Sequence, residues 1–383
     1  MKTCFFYRVD RVDKEGGMKI SVLVPVYKKP KFFADIARKV LSSSFEDKEI
    51  IAVIDGEMTP EIKEAIEPFG NKIRVIYPNE HLGKAGALNK AVEFLSTDAL
   101  LFLDNDVLLP DDPLFLTNVA NEVQTYDIVE IPKEVIVESF ISAMISYEYL
   151  VFAMAGFSLA KISKRSPALI GSAFAVKKEL FDKLSGFRRV VHEDGDFGAR
   201  AFRLHARYSY NPKLKVKTTM PNTLSDWCKQ RKRWALINVL WLRDHFLNVL
   251  SGVFKYPSLI LSFTILIFPF VSFFLFYIIM QRLHLTPILP FVFMVSQIFH
   301  LPTGVFLLLS HFHLILQGVG SILQGLLFSS AICFGFSRVL KFRFNFFEYI
   351  FFYFIYSPIW FIATLVMWIL LLLKKVPNLD WKV

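Results

Sequence analysis

Short apolar runs alternate with amphipathic segments along the first hundred residues. Ile20–Val26 (ISVLVPV) reads as a buried strand ending in a proline-containing turn. Residues 32–43 carry the spacing of a helix that buries one face. Residues 49–54 (EIIAVI) form a second buried strand, closed by Asp55-Gly56. Thr59-Pro60 starts an amphipathic helix over 60–69. A third strand at 73–77, a helix at 83–95 and a fourth strand at Ala99–Leu103 complete the pattern. This β-α-β-α-β-α-β alternation predicts an α/β domain, a mostly parallel sheet flanked by helices. Ligands of such sheets gather at the carboxyl ends of the strands. Asp55 and Asp104-Asn105-Asp106 stand at those ends.

The pattern changes further on. Residues 137–160 are apolar and aromatic but include Glu138 and Glu148, which suits a helix packed on the domain or lying at a membrane surface. A strand is expected over 168–176, then a helix and Gly186-Phe187. Glu193-Asp194 reads as part of a polar loop before a helix at 195–204. A long helix over 224–245 opens with Thr223 and Asp226, resembling a capping box. Residues 257–281, 283–337 and 349–373 contain no Asp, Glu, Lys or Arg. About twenty such residues suffice to cross a bilayer as a helix. Spans are expected at 257–280, 288–310, 312–336 and 349–373, an α-helical transmembrane region. Lys255 before them and Lys374-Lys375 after them favour an even number with both ends cytoplasmic. Four is the preferred count, although it places Arg338, Lys341 and Arg343 outside. If 312–336 lies only at the interface, that loop is cytoplasmic and the C-terminus is not. The expected division is a lead-in at 1–17, a catalytic domain at 18–250 and a transmembrane region at 251–383, with Met18 an alternative start. Residues 1–18 are charged and lack the apolar core of a secretory signal.

Composition sharpens this division. Hydrophobic residues make up 54% of the 383, and 32 of the 34 acidic residues precede position 251. The net charge of +10 divides into +4 for 1–250 (36 basic, 32 acidic) and +6 for 251–383 (8 basic, 2 acidic). Charge beside the spans suits anionic headgroups or a phosphorylated donor. No basic stripe with interleaved aromatics points to nucleic acid. The three cysteines, Cys4, Cys228 and Cys333, show no CxxC spacing, which suits a cytosol-facing domain without disulfides or zinc.

Several groups carry candidate chemistry. Asp104 and Asp106 straddle one residue at a strand end and could hold Mn²⁺ or Mg²⁺ with water. Such a cation bridges diphosphate oxygens and takes up charge as the diphosphate leaves. The bland alternative is an acidic turn. Asp55 could accept a hydrogen bond from a uracil imide, or simply make an Asp-Gly turn. The run from His81 to Asn89 (HLGKAGALN) opens a helix with Gly83 and Gly86, and Lys84 could meet a phosphate there. Asp194 is the candidate general base, with Glu193 beside it and Asp196 a nearby decoy. Acidic residues in a first helical turn are equally expected from the macrodipole. Gln230, Arg233 and Trp234 share one helical face, where Arg233 could clamp a diphosphate and Trp234 could stack on a sugar. An interfacial basic-aromatic helix is the alternative.

Together these residues resemble glycosyltransferase family 2, in its membrane-bound branch of cellulose, chitin and hyaluronan synthases and ceramide glucosyltransferases. Val24-Pro25-Val26-Tyr27 resembles the opening strand, Asp104-Asn105-Asp106 the DxD motif, and residues 171–187 the acceptor-side strand and helix. Gln230-Arg231-Lys232-Arg233-Trp234 matches QxxRW. The resemblance implies a GT-A fold and an inverting, metal-dependent transfer from a nucleotide-diphosphate sugar, UDP-linked, to a lipid or glycan acceptor. It assigns Asp194 as base with Glu193 beside it. Pro25, Tyr27, Asp55, Lys84, Asp104, Asp106, Gln230, Arg233 and Trp234 would face the donor. The lipid bilayer would be a partner, with the enzyme multi-pass in the cell membrane and its catalytic domain cytoplasmic. His192 stands where many relatives have threonine, and spans are expected only after the catalytic domain. A polyprenyl-phosphate glycosyltransferase and an inactive membrane scaffold stay open as alternatives.

Overall fold

The computed structural model describes residues 17–78, 80–266, 272, 278–279, 291, 293–300 and 303–375. Two compact units divide it, one of residues 1–262 with 363–383 and the other of residues 263–362.

The first unit follows the predicted alternation. β1 (Ile20–Val26), α1 (Phe33–Ser42), β2 (Lys48–Ile54), α2 (Pro60–Ile66), β3 (Arg74–Ile76), α3 (Gly83–Val92) and β4 (Ala99–Leu103) run in that order. Thr59 caps α2 by accepting from the Ile62 N–H. β5 (Val107–Leu108), α4 (Phe115–Thr125), β6 (Ile128–Glu130) and β7 (Lys133–Val135) follow. Next come α5 (Phe140–Ile162), β8 (Ala173–Lys177), α6 (Lys178–Lys183), α7 (Glu193–Arg203), β9 (Tyr208–Tyr210), β10 (Val216–Thr218) and α8 (Leu224–Lys255). The main sheet has the order β3-β2-β1-β4-β8-β6-β9, and β5-β10-β7 forms a small second sheet. β1 pairs in parallel with β2 and β4, and β2 with β3. β8 runs antiparallel to both β4 and β6. The sheet is therefore mostly parallel, as expected. Strands β1 and β4 are buried along almost their whole length, which explains their unbroken apolar sequence.

Three expectations need adjusting. Strand β8 begins at Ala173, because 170–172 turns: Ser172 N–H donates to Ile170 O, and the Asp104 N–H donates to Ser172 O. Glu193 and Asp194 lie in the first turn of α7 rather than in a loop, where the helix end favours acidic groups. Helix α8 continues past residue 245 to Lys255. For residues 137–160 the two alternatives separate. Helix α5 packs on β7 and β9, and its Glu148 forms a buried ion pair with Arg231 of α8 at 2.8 Å.

Among the described residues three helices are long and apolar enough to cross a membrane: Phe140–Ile162, Gly318–Leu340 and Phe346–Leu372. The first is 72% buried within the protein, so its apolarity is already used in packing; the others are 33% and 11% buried. The expected span at 312–336 lies inside one helix, Thr303–Leu340. That at 349–373 falls on Phe346–Phe351, a π turn and Ser357–Leu372. Those at 257–280 and 288–310 lie largely outside the described residues. Within the second unit Tyr349 O–H meets Ser329 Oγ at 2.5 Å and Cys333 Sγ at 3.4 Å, so its polar tip is satisfied among apolar neighbours.

Helix α7 lies close against the 168–169 backbone at Gly198. A Cβ there would stand 2.8 Å from Leu169 N and 2.9 Å from Ala168 C, atoms that cannot rotate aside. Gly198→Ala should cost about 1–3 kcal/mol and lower the melting temperature in detergent. Gly335→Ala, with no heavy atom within 4 Å, should leave it unchanged or higher.

Candidate active site

Six segments supply the candidate residues. Pro25 and Tyr27 come from the end of β1, and the Tyr27 ring stacks on His81 with centroids 5.0 Å apart. Asp55 follows β2 and is buried. Its Oδ1 accepts the Leu82 N–H at 2.8 Å, and its Oδ2 lies 3.1 Å from His81 Nδ1. Asp55 thus fixes the loop that leads into α3.

The first turn of α3 projects Lys84 toward the end of β4. Lys84 Nζ lies 2.7 Å from Asp104 Oδ1 and 3.8 Å from Glu193 Oε1. Burial alone would lower its ammonium pKa, but Asp104, Glu193 and Asp194 outweigh that and raise it. Asp106 Oδ2 is 3.8 Å from Lys31 Nζ. Burial and the Asp104 charge hold the Asp106 carboxyl above the usual range. Asn105 ties this turn to the end of β1: its Nδ2–H donates to Lys29 O at 2.8 Å, and its carbonyl accepts from Phe32 N–H.

The opposite wall is the start of α7. Asp194 Oδ2 accepts the Gly171 N–H at 2.6 Å, and its Oδ1 accepts the Gly195 N–H at 2.7 Å. Any side chain at Gly171 would collide with that carboxylate. Glu193 is pushed up to about 7 by burial and by Asp194. Asp196 has another task. Burial would raise its pKa, but His245, Arg200 and Arg188 hold it down. Arg200 Nε meets it at 2.7 Å within α7, and His245 Nε2 at 3.2 Å joins α7 to α8.

Pro25, Lys84, Asp104, Gly171, Glu193 and Asp194 line one small cavity, floored by Leu88, Phe102, Phe174 and Phe187. Tyr27, Asp55, Asp106, Gln230, Arg233 and Trp234 do not line it. On α8, Gln230 Nε2 lies 3.9 Å from Met220 Sδ, Arg233 is exposed, and Trp234 is half-buried beside Tyr149. Arg231 was grouped in sequence with the interfacial cations. It is instead buried, paired with Glu148, and lies 4.4 Å above the Trp234 ring. Glu148, the one acidic residue of α5, was the available signal. Trp241 was missed too: its indole N–H donates to Gly195 O at 3.0 Å, beside Asp194.

Asp104 and Asp106 suit a hard divalent cation: burial and the Asp104 charge both disfavour an ionised Asp106, and a cation between the two carboxylates would offset both. No group of three or more His, Cys, Asp or Glu capable of holding a metal occurs among the described residues. The remaining ligands would come from phosphate oxygens and water.

The mostly parallel sheet carries this acidic cluster at the ends of its strands. Residues 21–184 match the family model described as Glycosyl transferase family 2, so this part of the chain is a glycosyltransferase domain. The chain is 28% identical over 270 residues to poly-beta-1,6-N-acetyl-D-glucosamine synthase of Staphylococcus aureus (strain COL), covering 66% of this chain and 61% of that protein. It thus spans about three-fifths of the length of the curated relatives it matches. Among solved structures, the mannosyltransferase PcManGT from Pyrobaculum calidifontis in complex with GDP-Man and Mn²⁺ is 18% identical, with a TM-score of 0.48, over 64% of this chain and 73% of that one. S. aureus TarS 1–349 in complex with UDP-GlcNAc is 17% identical, with a TM-score of 0.42, over 65% and 81%.

The raised Glu193 pKa has a stability consequence. Between the ordinary carboxyl value and about 7, the folded state holds a proton that the unfolded chain releases. Its contribution is complete at low pH and is lost as pH rises through about 7. Glu193→Gln should therefore gain in melting temperature relative to the unsubstituted protein between pH 5 and pH 8 (about the window set by these two values). Thermal melts across that range would show it; a constant difference would contradict the assignment.

Proposed function

We propose that this chain is a membrane-integral, inverting glycosyltransferase that moves a sugar from a UDP-linked donor to a lipid-linked or polysaccharide acceptor. The observation that carries this reading is the convergence of Asp104, Glu193 and Asp194 around the Lys84 ammonium. The relative named as a poly-beta-1,6-N-acetyl-D-glucosamine synthase supports a polysaccharide acceptor and makes UDP-N-acetylglucosamine the first donor to try.

The residues divide the work by their chemistry. Asp104 and Asp106 would hold Mn²⁺ or Mg²⁺, which when bound neutralises charge on a departing diphosphate. Lys84 offers a cation on the same side and could exchange its bond with Asp104 for one with phosphate. Pro25, Tyr27 and Asp55 stand at the strand ends where a nucleotide would lie. Asp194, aimed by two backbone N–H groups, takes the proton of the acceptor hydroxyl as its oxygen attacks the anomeric carbon. Glu193, with its raised pKa, keeps charge repulsion beside Asp194 low near neutrality. Gln230, Arg233 and Trp234 lie on α8 and would meet the donor diphosphate and the acceptor sugar. The C-terminal apolar helices would hold the enzyme in the cell membrane as a multi-pass protein, with the catalytic domain cytoplasmic.

Asp194→Asn should cut transfer at least ~10²–10⁴-fold while calorimetric UDP affinity stays near that of the unsubstituted enzyme. Chelation should abolish transfer, and Mn²⁺ or Mg²⁺ should restore it. Normal turnover by Asp194→Asn would move the base elsewhere. A panel of UDP-sugars, read as a polymer ladder or a single glycolipid, separates the acceptors. Arg233→Lys keeps the charge but loses the planar two-point grip on phosphate. It should lower transfer about tenfold or more, whereas an interfacial anchor would tolerate it.

A further inference from the structure

Beneath the Asp194 wall lies a buried ion pair that the proposed chemistry does not use. Lys133, at the start of β7, and Glu130, at the end of β6, have side chains only 3% and 5% exposed, with Lys133 Nζ 3.8 Å from Glu130 Oε1. Both bond to the same residue of the 170–172 turn. Lys133 Nζ donates to Ile170 O, and Glu130 Oε1 accepts the Ile170 N–H at 3.3 Å. Glu130 Oε2 is held in turn by the Tyr208 O–H at 2.9 Å. The next residue, Gly171, gives its N–H to Asp194 Oδ2 at 2.6 Å, and Ser172 O accepts the Asp104 N–H at 2.9 Å.

Burying two charges is costly, and apolar residues of similar volume often serve stability equally well or better. Burial opposes both charged forms here: it raises the Glu130 carboxyl and lowers the Lys133 ammonium. What an apolar pair cannot supply is a donor and an acceptor on opposite edges of one peptide segment. Lys133 and Glu130 supply both, and so fix the direction of the Gly171 N–H that follows.

We propose that Lys133 and Glu130 are positioning residues for sugar transfer, holding the Ile170-Gly171 turn so that its N–H aims Asp194 at the acceptor hydroxyl. This rests on the reading of Asp194 as general base. Neither side chain lines the cavity beside Asp194. Loss of the pair should misdirect the base without weakening the grip on the nucleotide, which the β1, β2 and β4 ends provide.

Two variants test it in the full-length protein in detergent. Lys133→Met removes the donor, and the double variant Glu130→Gln with Lys133→Met also removes the unpaired buried charge that destabilises the first. Calorimetric titration with UDP counts intact sites, and kcat is expressed per intact site. Both variants should lose on the order of 10- to 100-fold in kcat, with donor KM and UDP affinity within about twofold. A merely structural pair predicts a lower melting temperature with kcat per intact site unchanged, and that result would overturn the proposal. So would a rise in donor KM at unchanged kcat. Asp194→Asn on the same preparation separates the two readings. If it is inactive while the double variant keeps full kcat, only the positioning role falls. If it transfers normally, the base reading fails and this proposal falls with it.

Discussion

The architecture is organised by one electrostatic constraint: Asp104, Glu193 and Asp194 all act on a single ammonium, that of Lys84. They come from the end of β4 and the start of α7, separated by about ninety residues of chain. Burial and, after it, the repulsion of neighbouring carboxylates raise the pKa values of Asp106 and Glu193. Lys84 makes the arrangement tolerable. Its own position depends on α3, which Asp55 anchors through Leu82 and His81. The β2 end, the α3 start and the two acidic clusters therefore stand or fall together.

Much of this was legible in the sequence because the early part of the fold is local. Short apolar runs and period-3.6 patterns placed β1 to β4 and their helices to within a few residues. The strand-end rule then put Asp55 and Asp104-Asn105-Asp106 on one edge. Less legible was whatever depends on contacts between distant segments. The first turn of α7 looked like a loop because His192-Glu193-Asp194-Gly195 is polar and contains glycine; the helix is instead held by contacts with α8. Arg231 is the clearest case. By composition it belonged with Lys229 and Lys232, yet Glu148, eighty-three positions earlier, buries it. A charge sequence alone does not reveal its partner.

Glycines carry a second kind of hidden information. At Gly171 and Gly195 the absent side chain leaves room for the Asp194 carboxylate and the Trp241 indole, respectively. In sequence Gly171 falls inside an expected strand and Gly195 at a helix start. Their meaning appears only when the segments meet, since each permits a backbone approach that any Cβ would block.

Helix α8 has a mechanical consequence. Its 32 residues make an unbroken rod about 48 Å long. Trp234, beneath the Arg231 guanidinium, and Trp241, bonded to Gly195 O, ride on that same rod. Turning α8 to swing Trp234 outward would also pull Trp241 from Gly195, whose N–H holds Asp194 Oδ1. The Trp234 face and the Asp194 turn are thus carried by one lever, and a rotation of α8 moves both.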